Sequence, residues 1–240
     1  MRRIYLLVLF NFLYSQFNQP LAILDSVINR MTPSNTKGII KQVNKYPDKK
    51  ERTFMYEYYS DNENNMQLVR YLAPKKVKNN AFLVKNNGND IWAYFYRTRR
   101  VRKLASHLSK QGMQNSEFSF QDLGRNDDWL DEFNVFLDKD DTNIILRLES
   151  KIESKSDYTK MIISANRSDF FPFEIMYFND DINEKTLTLS DIIMDQELVY
   201  AKTMKMKNNL TKAETLMIIE DIEFDVEFDK DTFNENKLKK

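Results

Sequence analysis

From Lys37 to Asp225 the chain alternates apolar and polar residues with a period of two, in short runs separated by Asp, Asn, Lys and Ser. A period of two places successive side chains on opposite faces of an extended strand, so this pattern constrains the fold more than any other feature. The runs predict strands at Lys37–Asn44, Arg52–Ser60, Met66–Leu72, Ala81–Lys85, Ile91–Tyr96 and Arg100–Leu104. They continue at Glu132–Leu137, Asn143–Ser150, Tyr158–Ala165, Phe173–Phe178, Lys185–Asp191, Val199–Lys207 and Glu214–Asp225. Asn86-Asn87-Gly88-Asn89 suits a hairpin turn, and Ala73-Pro74 must end the strand before it. Ala105 to Ser116 has no periodicity and reads as a loop, and the polar tail from Asp229 to Lys240 reads as frayed.

One segment departs from this pattern. Gln19 to Met31 places Leu21, Leu24, Val27, Ile28 and Met31 at helical spacing, with Pro20 suited to a first turn, so it predicts a helix packed on a sheet. Several strands are apolar on both faces, among them Leu216-Met217-Ile218-Ile219 and Met161-Ile162-Ile163. Such strands must be covered on both sides. With helices scarce, either the sheet curls on itself or some of its surface receives a ligand. The 17 Phe and 12 Tyr, against four Gly and five Pro, agree with a sheet-rich aromatic interior.

The first residues read as an address. Met1-Arg2-Arg3 supplies positive charge, Ile4 to Leu13 is almost continuously apolar, and Tyr14-Ser15-Gln16 offers a cleavage region. This is the layout of a secretory signal peptide over residues 1–16; the alternative is an N-terminal core segment. The apolar run is too short to span a bilayer as a stable helix. The sequence therefore predicts a soluble, exported domain over residues 17–240. It has no cysteine, so it is held by its core alone and cannot itself carry a cysteine-linked lipid. That composition suits a bacterial periplasm.

No residue pattern supplies chemistry. A Ser or Cys nucleophile needs a positioned base, but there is no Cys, no GxSxG elbow, and a single histidine, His107, in the predicted loop. No glycine-rich loop precedes a helix, which leaves nucleotide sites unsupported. One His with no patterned carboxylates is not a metal site. The expectation is a protein without catalytic residues, metal or cofactor; a carboxylate pair of glycosidase type is the weakest alternative.

Charge is uneven although the formal net charge is zero. Lys75 to Gly112 holds ten Lys/Arg against one acid, and Asp180 to Glu235 holds fifteen acids against six bases. The sharpest feature is Arg97-Thr98-Arg99-Arg100-Val101-Arg102-Lys103, following Trp92, Tyr94 and Tyr96. Aromatics beside arginines can bind single-stranded nucleic acid, but an export signal argues against that partner. Lipid phosphates, an acidic protein and a plain solvated hairpin end remain. Lys75, Lys78, Arg99, Arg100 and Arg102 are the candidate partner-binding residues.

The stretch from Gln67 to Leu123 resembles the outer-membrane lipoprotein-sorting protein family, relatives of the periplasmic carrier LolA. The blocks that carry the resemblance begin with Leu68-Val69-Arg70-Tyr71-Leu72-Ala73-Pro74-Lys75-Lys76-Val77-Lys78 and Ala81-Phe82-Leu83-Val84-Lys85. Ile91-Trp92-Ala93-Tyr94, Arg99-Arg100-Val101-Arg102-Lys103-Leu104 and Ser116-Glu117-Phe118-Ser119-Phe120-Gln121-Asp122-Leu123 follow. Weaker similarity continues through Tyr158-Thr159-Lys160, Phe171-Pro172-Phe173-Glu174-Ile175 and Ala213–Phe224. Ser116-Glu117 stands where a small residue and aspartate are expected, Lys75-Lys76 and Asn79-Asn80 replace a more mixed segment, and the carrier's proline-arginine-aromatic strand is missing. The resemblance implies a mainly β (α+β) fold, a curved incomplete antiparallel β-barrel with a few helices over its concave apolar face. It implies a monomeric periplasmic carrier of lipoprotein acyl chains or another lipid, bound for the outer membrane. The alternative is an accessory or sensor docking to an inner-membrane lipid or RND-type transporter. Strand alternation nominates Met55, Leu68, Phe82, Trp92, Tyr94, Leu146, Ile163, Ile175 and Met204 as cavity-lining residues.

Overall fold

The computed structural model describes residues 19–31, 34–86, 88–105, 112–120, 122, 126, 128–195 and 198–239. The expected signal segment and His107 lie outside these residues. The period-two runs all become strands: β1 Thr36–Tyr46, β2 Lys49–Asp61, β3 Met66–Ala73, β4 Ala81–Lys85, β5 Asp90–Phe95, β6 Arg100–Lys103 and β7 Phe133–Asp140. After these come β8 Asn143–Ser150, β9 Lys160–Asn166, β10 Pro172–Asn179, β11 Ile182–Asp195, β12 Leu198–Asn208 and β13 Glu214–Phe224. They form one 13-stranded sheet in the order β6-β5-β4-β3-β2-β1-β13-β12-β11-β10-β9-β8-β7, with β6 and β7 at its edges. Short polar connections join consecutive strands as hairpins within β1–β6 and within β7–β13, and β1 and β13 join the two series by pairing antiparallel in the middle of the order.

Among the described residues the α-helices are α1 (19–31) and a single short turn, α2 (Asp128–Glu132). In α1 the buried stripe is Ile23, Leu24, Val27 and Ile28, whereas Leu21 is exposed and Met31 is half-buried. The predicted stripe is thus rotated by one position at its N-terminal end.

The residues fall into two compact units. The first holds α1, α2 and β7–β10. Here Leu146, Ile163 and Ile175 lie side by side in register on β8, β9 and β10, all with no exposed surface. The neighbouring row is Leu148, Met161 and Tyr177. Arg30 Nε donates to the carbonyl of Asp169 at 3.0 Å, tying α1 to the β9–β10 turn.

The second unit holds β1–β6, β11 from Glu184 onward, β12, β13 and both flanking segments, 112–120 and the C-terminal tail. The tail departs from its sequence expectation. It is not frayed: Phe233 and Leu238 pack into one cluster with Leu68, Ala81, Leu83 and Tyr94, with Phe228, Trp92 and Tyr59 at its margin. Arg70 Nη1 donates to the carbonyl of Leu238, and Lys85 Nζ meets Glu235 Oε2 at 3.4 Å. Two apolar residues in a polar tail leave no periodic signal, yet burying them offsets the entropy of ordering it.

Candidate functional site

Register assigns each side chain of the second unit to one of two faces, because directly paired residues in a sheet point the same way. On one face a row runs Leu189, Met204, Met217, Gln42, Phe54 across β11, β12, β13, β1 and β2. The next row is Leu187, Met206, Thr215, Asn44, Arg52. On β3 to β5 the same face carries Gln67, Val69 and Tyr71, then Phe82 and Val84, then Ile91, Ala93 and Phe95. Aromatic rings meet edge to face along it: Phe54 and Tyr56 on Tyr71, Tyr71 on Phe82, and Phe82 on Phe95. This face is largely apolar, with aromatic and methionine side chains set among aliphatic ones.

The segment 112–120 crosses it. Gly112 bridges Ser119, a single 3₁₀ turn covers Met113–Asn115, and Phe120 lies 5.5 Å from Phe82, ring centre to ring centre. A side chain at Gly112 would strike the carbonyl of Ser116, so this tight turn admits only glycine. Three buried polar residues of the sheet hold the segment. Gln42 Nε2 donates to the carbonyl of Met113, Asn44 Nδ2 to that of Gln114, and the Glu117 backbone N–H donates to Thr215 Oγ1. The acidic side chain of Glu117 accepts from Asn208 Nδ2 at 3.0 Å, and Lys185 Nζ donates to its backbone carbonyl. Gln42 and Asn44 continue the face of Ile40, and Thr215 that of Met217, and polar residues at these inward positions were the available signal for this anchor.

The face also holds polar atoms with no protein partner: Gln42 Oε1, Gln67 Oε1 and the Tyr71 hydroxyl, all deeply buried. Burial pushes the hydroxyls of Tyr71 and Tyr56 well up from the ordinary tyrosine range, so both stay neutral and Tyr71 remains a donor. Buried polar atoms normally find partners.

The nominated cavity residues divide between surfaces. Phe82 and Met204 lie on this face, Phe82 buried and Met204 half-buried. Leu68, Trp92 and Tyr94 lie on the opposite face, where Leu68 and Tyr94 pack against the C-terminal tail. Trp92 there is flanked by the ammonium groups of Lys85 and Lys103 at 5.4 and 5.0 Å. Met55 pairs with Lys41 and is half-buried on that opposite face. Leu146, Ile163 and Ile175 form their own row in the first unit.

Of the nominated partner-binding residues, Lys75, Lys78, Arg99, Arg100 and Arg102 are all exposed. The backbone N–H of Tyr96 donates to Asn80 Oδ1 at 2.9 Å, which joins the Lys75–Lys78 turn to the β5–β6 hairpin. Part of this charge has a structural use: β6 is an edge strand, and three of its four residues are basic, which discourages pairing with another chain. Among the described residues no His, Asp or Glu group is arranged to hold a metal ion, and no helix is long and apolar enough to cross a membrane.

A family model described as an uncharacterized protein matches residues 63–240, more than half of the chain. The chain belongs to that family. Its fold is LolA-like, as similar solved structures show. An outer membrane lipoprotein-sorting protein domain from Vibrio parahaemolyticus is 21% identical, with a TM-score of 0.81 over 93% of this chain and 99% of that one. A DUF1329 family protein from Desulfovibrio piger is 16% identical, with a TM-score of 0.83 over 92% and 98%. A LolA superfamily protein from Nitrosomonas europaea is 17% identical, with a TM-score of 0.71 over 88% and 96%. No curated protein matches the sequence. The LolA-like fold therefore agrees with the resemblance carried by the Gln67–Leu123 blocks. At these identities it is the fold that is shared.

Proposed function

We propose that this chain is a non-enzymatic periplasmic carrier or chaperone. As a single domain over residues 17–240, it holds lipoprotein acyl chains or another lipid against the largely apolar face of β1–β5 and β11–β13 for transport toward the outer membrane. One observation supports this above the others. That face is apolar and soft across many strands, yet it buries Tyr71, Gln42 and Gln67 with hydrogen-bonding atoms left unpartnered. An apolar tail has variable shape, which thioethers and rings accommodate without a fixed mould. Each buried CH₂ contributes about 0.8 kcal/mol, so part of one chain suffices for useful affinity. A lipid's ester, amide or hydroxyl groups can meet the Tyr71 donor and the glutamine acceptors. The LolA-like fold is consistent with carriage.

Gentle purification from the periplasm followed by native mass spectrometry tests this reading. Co-purifying lipid, released by denaturation, is the expected result. A protein recovered bare, which after delipidation takes up no acyl probe, contradicts it.

A further inference from the structure

Register turns the uneven charge along the sequence into an uneven charge along the strands of the second unit. Four connections lie at one end of these strands: β1–β2, β3–β4, β5–β6 and β12–β13. The β3–β4 turn carries Lys75, Lys76 and Lys78, the β5–β6 turn Arg97 and Arg99, and the β12–β13 turn Lys212, while Lys49 and Lys50 open β2 directly after the β1–β2 turn. The acids near them are Asp48, Glu51, Glu184, Glu214 and Glu117, whose carboxylate accepts from Asn208 at the start of the β12–β13 turn. None of the cations on these four turns makes an ion pair among the described residues, whereas at the opposite end Lys37, Lys85 and Lys103 pair with Glu223, Glu235 and Asp90. Protection of the β6 edge accounts for Arg100 and Arg102 but not for cations on turns three hairpins away.

Two apolar side chains protrude at the same end. Tyr96, at the β5–β6 turn, is 50% exposed, and Leu210, at the β12–β13 turn, is 58% exposed. Each has cationic neighbours on its own turn: Arg97 and Arg99 for Tyr96, and Lys212 for Leu210. Unpaired cations spread over separate turns, with an aromatic and an aliphatic tip between them, suit a laterally fluid array of phosphates over an apolar layer. An acidic protein partner would reward fixed, bidentate pairing and a shared apolar patch, and the two tips are separated by several strands.

We propose that this end of the second unit docks on the surface of an anionic phospholipid bilayer, with the Lys and Arg turns at the phosphates and Tyr96 and Leu210 in the interface. The inference goes beyond the carrier reading and does not depend on it, since a protein can dock this way with or without cargo.

Vesicle co-sedimentation of the exported chain tests it. The vesicles are phosphatidylcholine alone, or equal parts phosphatidylcholine and phosphatidylglycerol, at about 0.05 M and about 0.5 M salt. The expected result is binding to the anionic vesicles only, lost at high salt. The Lys75→Glu/Lys76→Glu/Arg97→Glu variant should bind at least about tenfold more weakly, because each cation near such a surface contributes separately. Tyr96→Ser/Leu210→Ser should also weaken binding while leaving its salt dependence in place. All substitutions are on exposed turns, and unchanged thermal melting confirms that the variants fold. Equal binding to neutral vesicles, binding to neither, or binding that survives the triple reversal overturns the proposal. So does failure on vesicles combined with charge-dependent retention on polyglutamate, which would make this end a protein dock.

Discussion

Thr215 on β13 accepts a hydrogen bond from the backbone N–H of Glu117 through Oγ1 at 2.9 Å, and its hydroxyl donates to Asn44 Oδ1 on β1 at 3.2 Å. This one hydroxyl joins the crossing segment to two strands, and Thr215 and Asn44 have no exposed surface. Replacing Thr215 by Val keeps the shape and leaves the Glu117 N–H without its acceptor, while Asn44 Oδ1 keeps its bond from Gln42 Nε2. The expected cost is about 1–3 kcal/mol by denaturant unfolding. Cleavage within residues 112–120 should also accelerate in limited proteolysis. Unchanged stability and unchanged cleavage would show that the segment is held by Met113, Phe118 and Phe120 alone.

Tyr71→Phe should act in the opposite direction. It removes a buried hydroxyl that has no protein partner and keeps the ring contacts with Phe54, Tyr56 and Phe82. Without ligand, stability should rise by about 1 kcal/mol. Affinity for a lipid bearing an ester or amide should fall if the hydroxyl donates to it. A variant both destabilised and unaltered in binding would place an unseen partner on that oxygen.

The same tyrosine sets an alkaline limit. The folded state holds the Tyr71 and Tyr56 hydroxyls above the ordinary value of 10.0, chiefly by desolvation. Their neutral forms are therefore favoured on folding. Their contribution to stability is full below pH 10 and declines as pH rises above it, where the unfolded chain ionises first. Denaturant midpoints measured from pH 8 to pH 11.5 should fall above pH 10 in the native chain, and less steeply in Tyr71→Phe. Equal slopes would contradict this.

Leu238→Ala opens a cavity beneath the tail, with an expected cost of about 2–5 kcal/mol. A cost within a few tenths of a kcal/mol would mean that the tail contributes little to the Leu68–Tyr94 cluster.

The strands were legible in the sequence because alternation is imposed by the pleat itself, and Ala81–Lys85 and Asn143–Ser150 match to the residue. Facing was harder to read. Ala81-Phe82-Leu83-Val84 is apolar on both sides, so nothing local tells whether Phe82 or Leu83 looks toward the crossing segment. Only long-range register decides that Phe82 shares a face with Met204 and that Trp92 and Tyr94 do not. The tail was misread for a related reason. Phe228, Phe233 and Leu238 have no period, and their partners on β3, β4 and β5 are more than a hundred residues away. The polar anchor was visible as Gln42 and Asn44 within a strand, but its purpose depends on segment 112–120, which carries no regular pattern.

The central claim is that the face bearing Met204 and Phe82 receives an acyl chain. Its most direct test is titration of the delipidated protein with a fluorescent fatty-acyl probe, comparing the native chain, Met204→Lys and Trp92→Leu. Met204 is half-buried, so a lysine there can keep its ammonium toward water in the folded protein while placing charge beside the proposed chain. The account predicts saturable uptake, weakened about tenfold or more by Met204→Lys and unchanged by Trp92→Leu. Absence of uptake by the native protein, or uptake lost with Trp92 and kept with Met204→Lys, would contradict it.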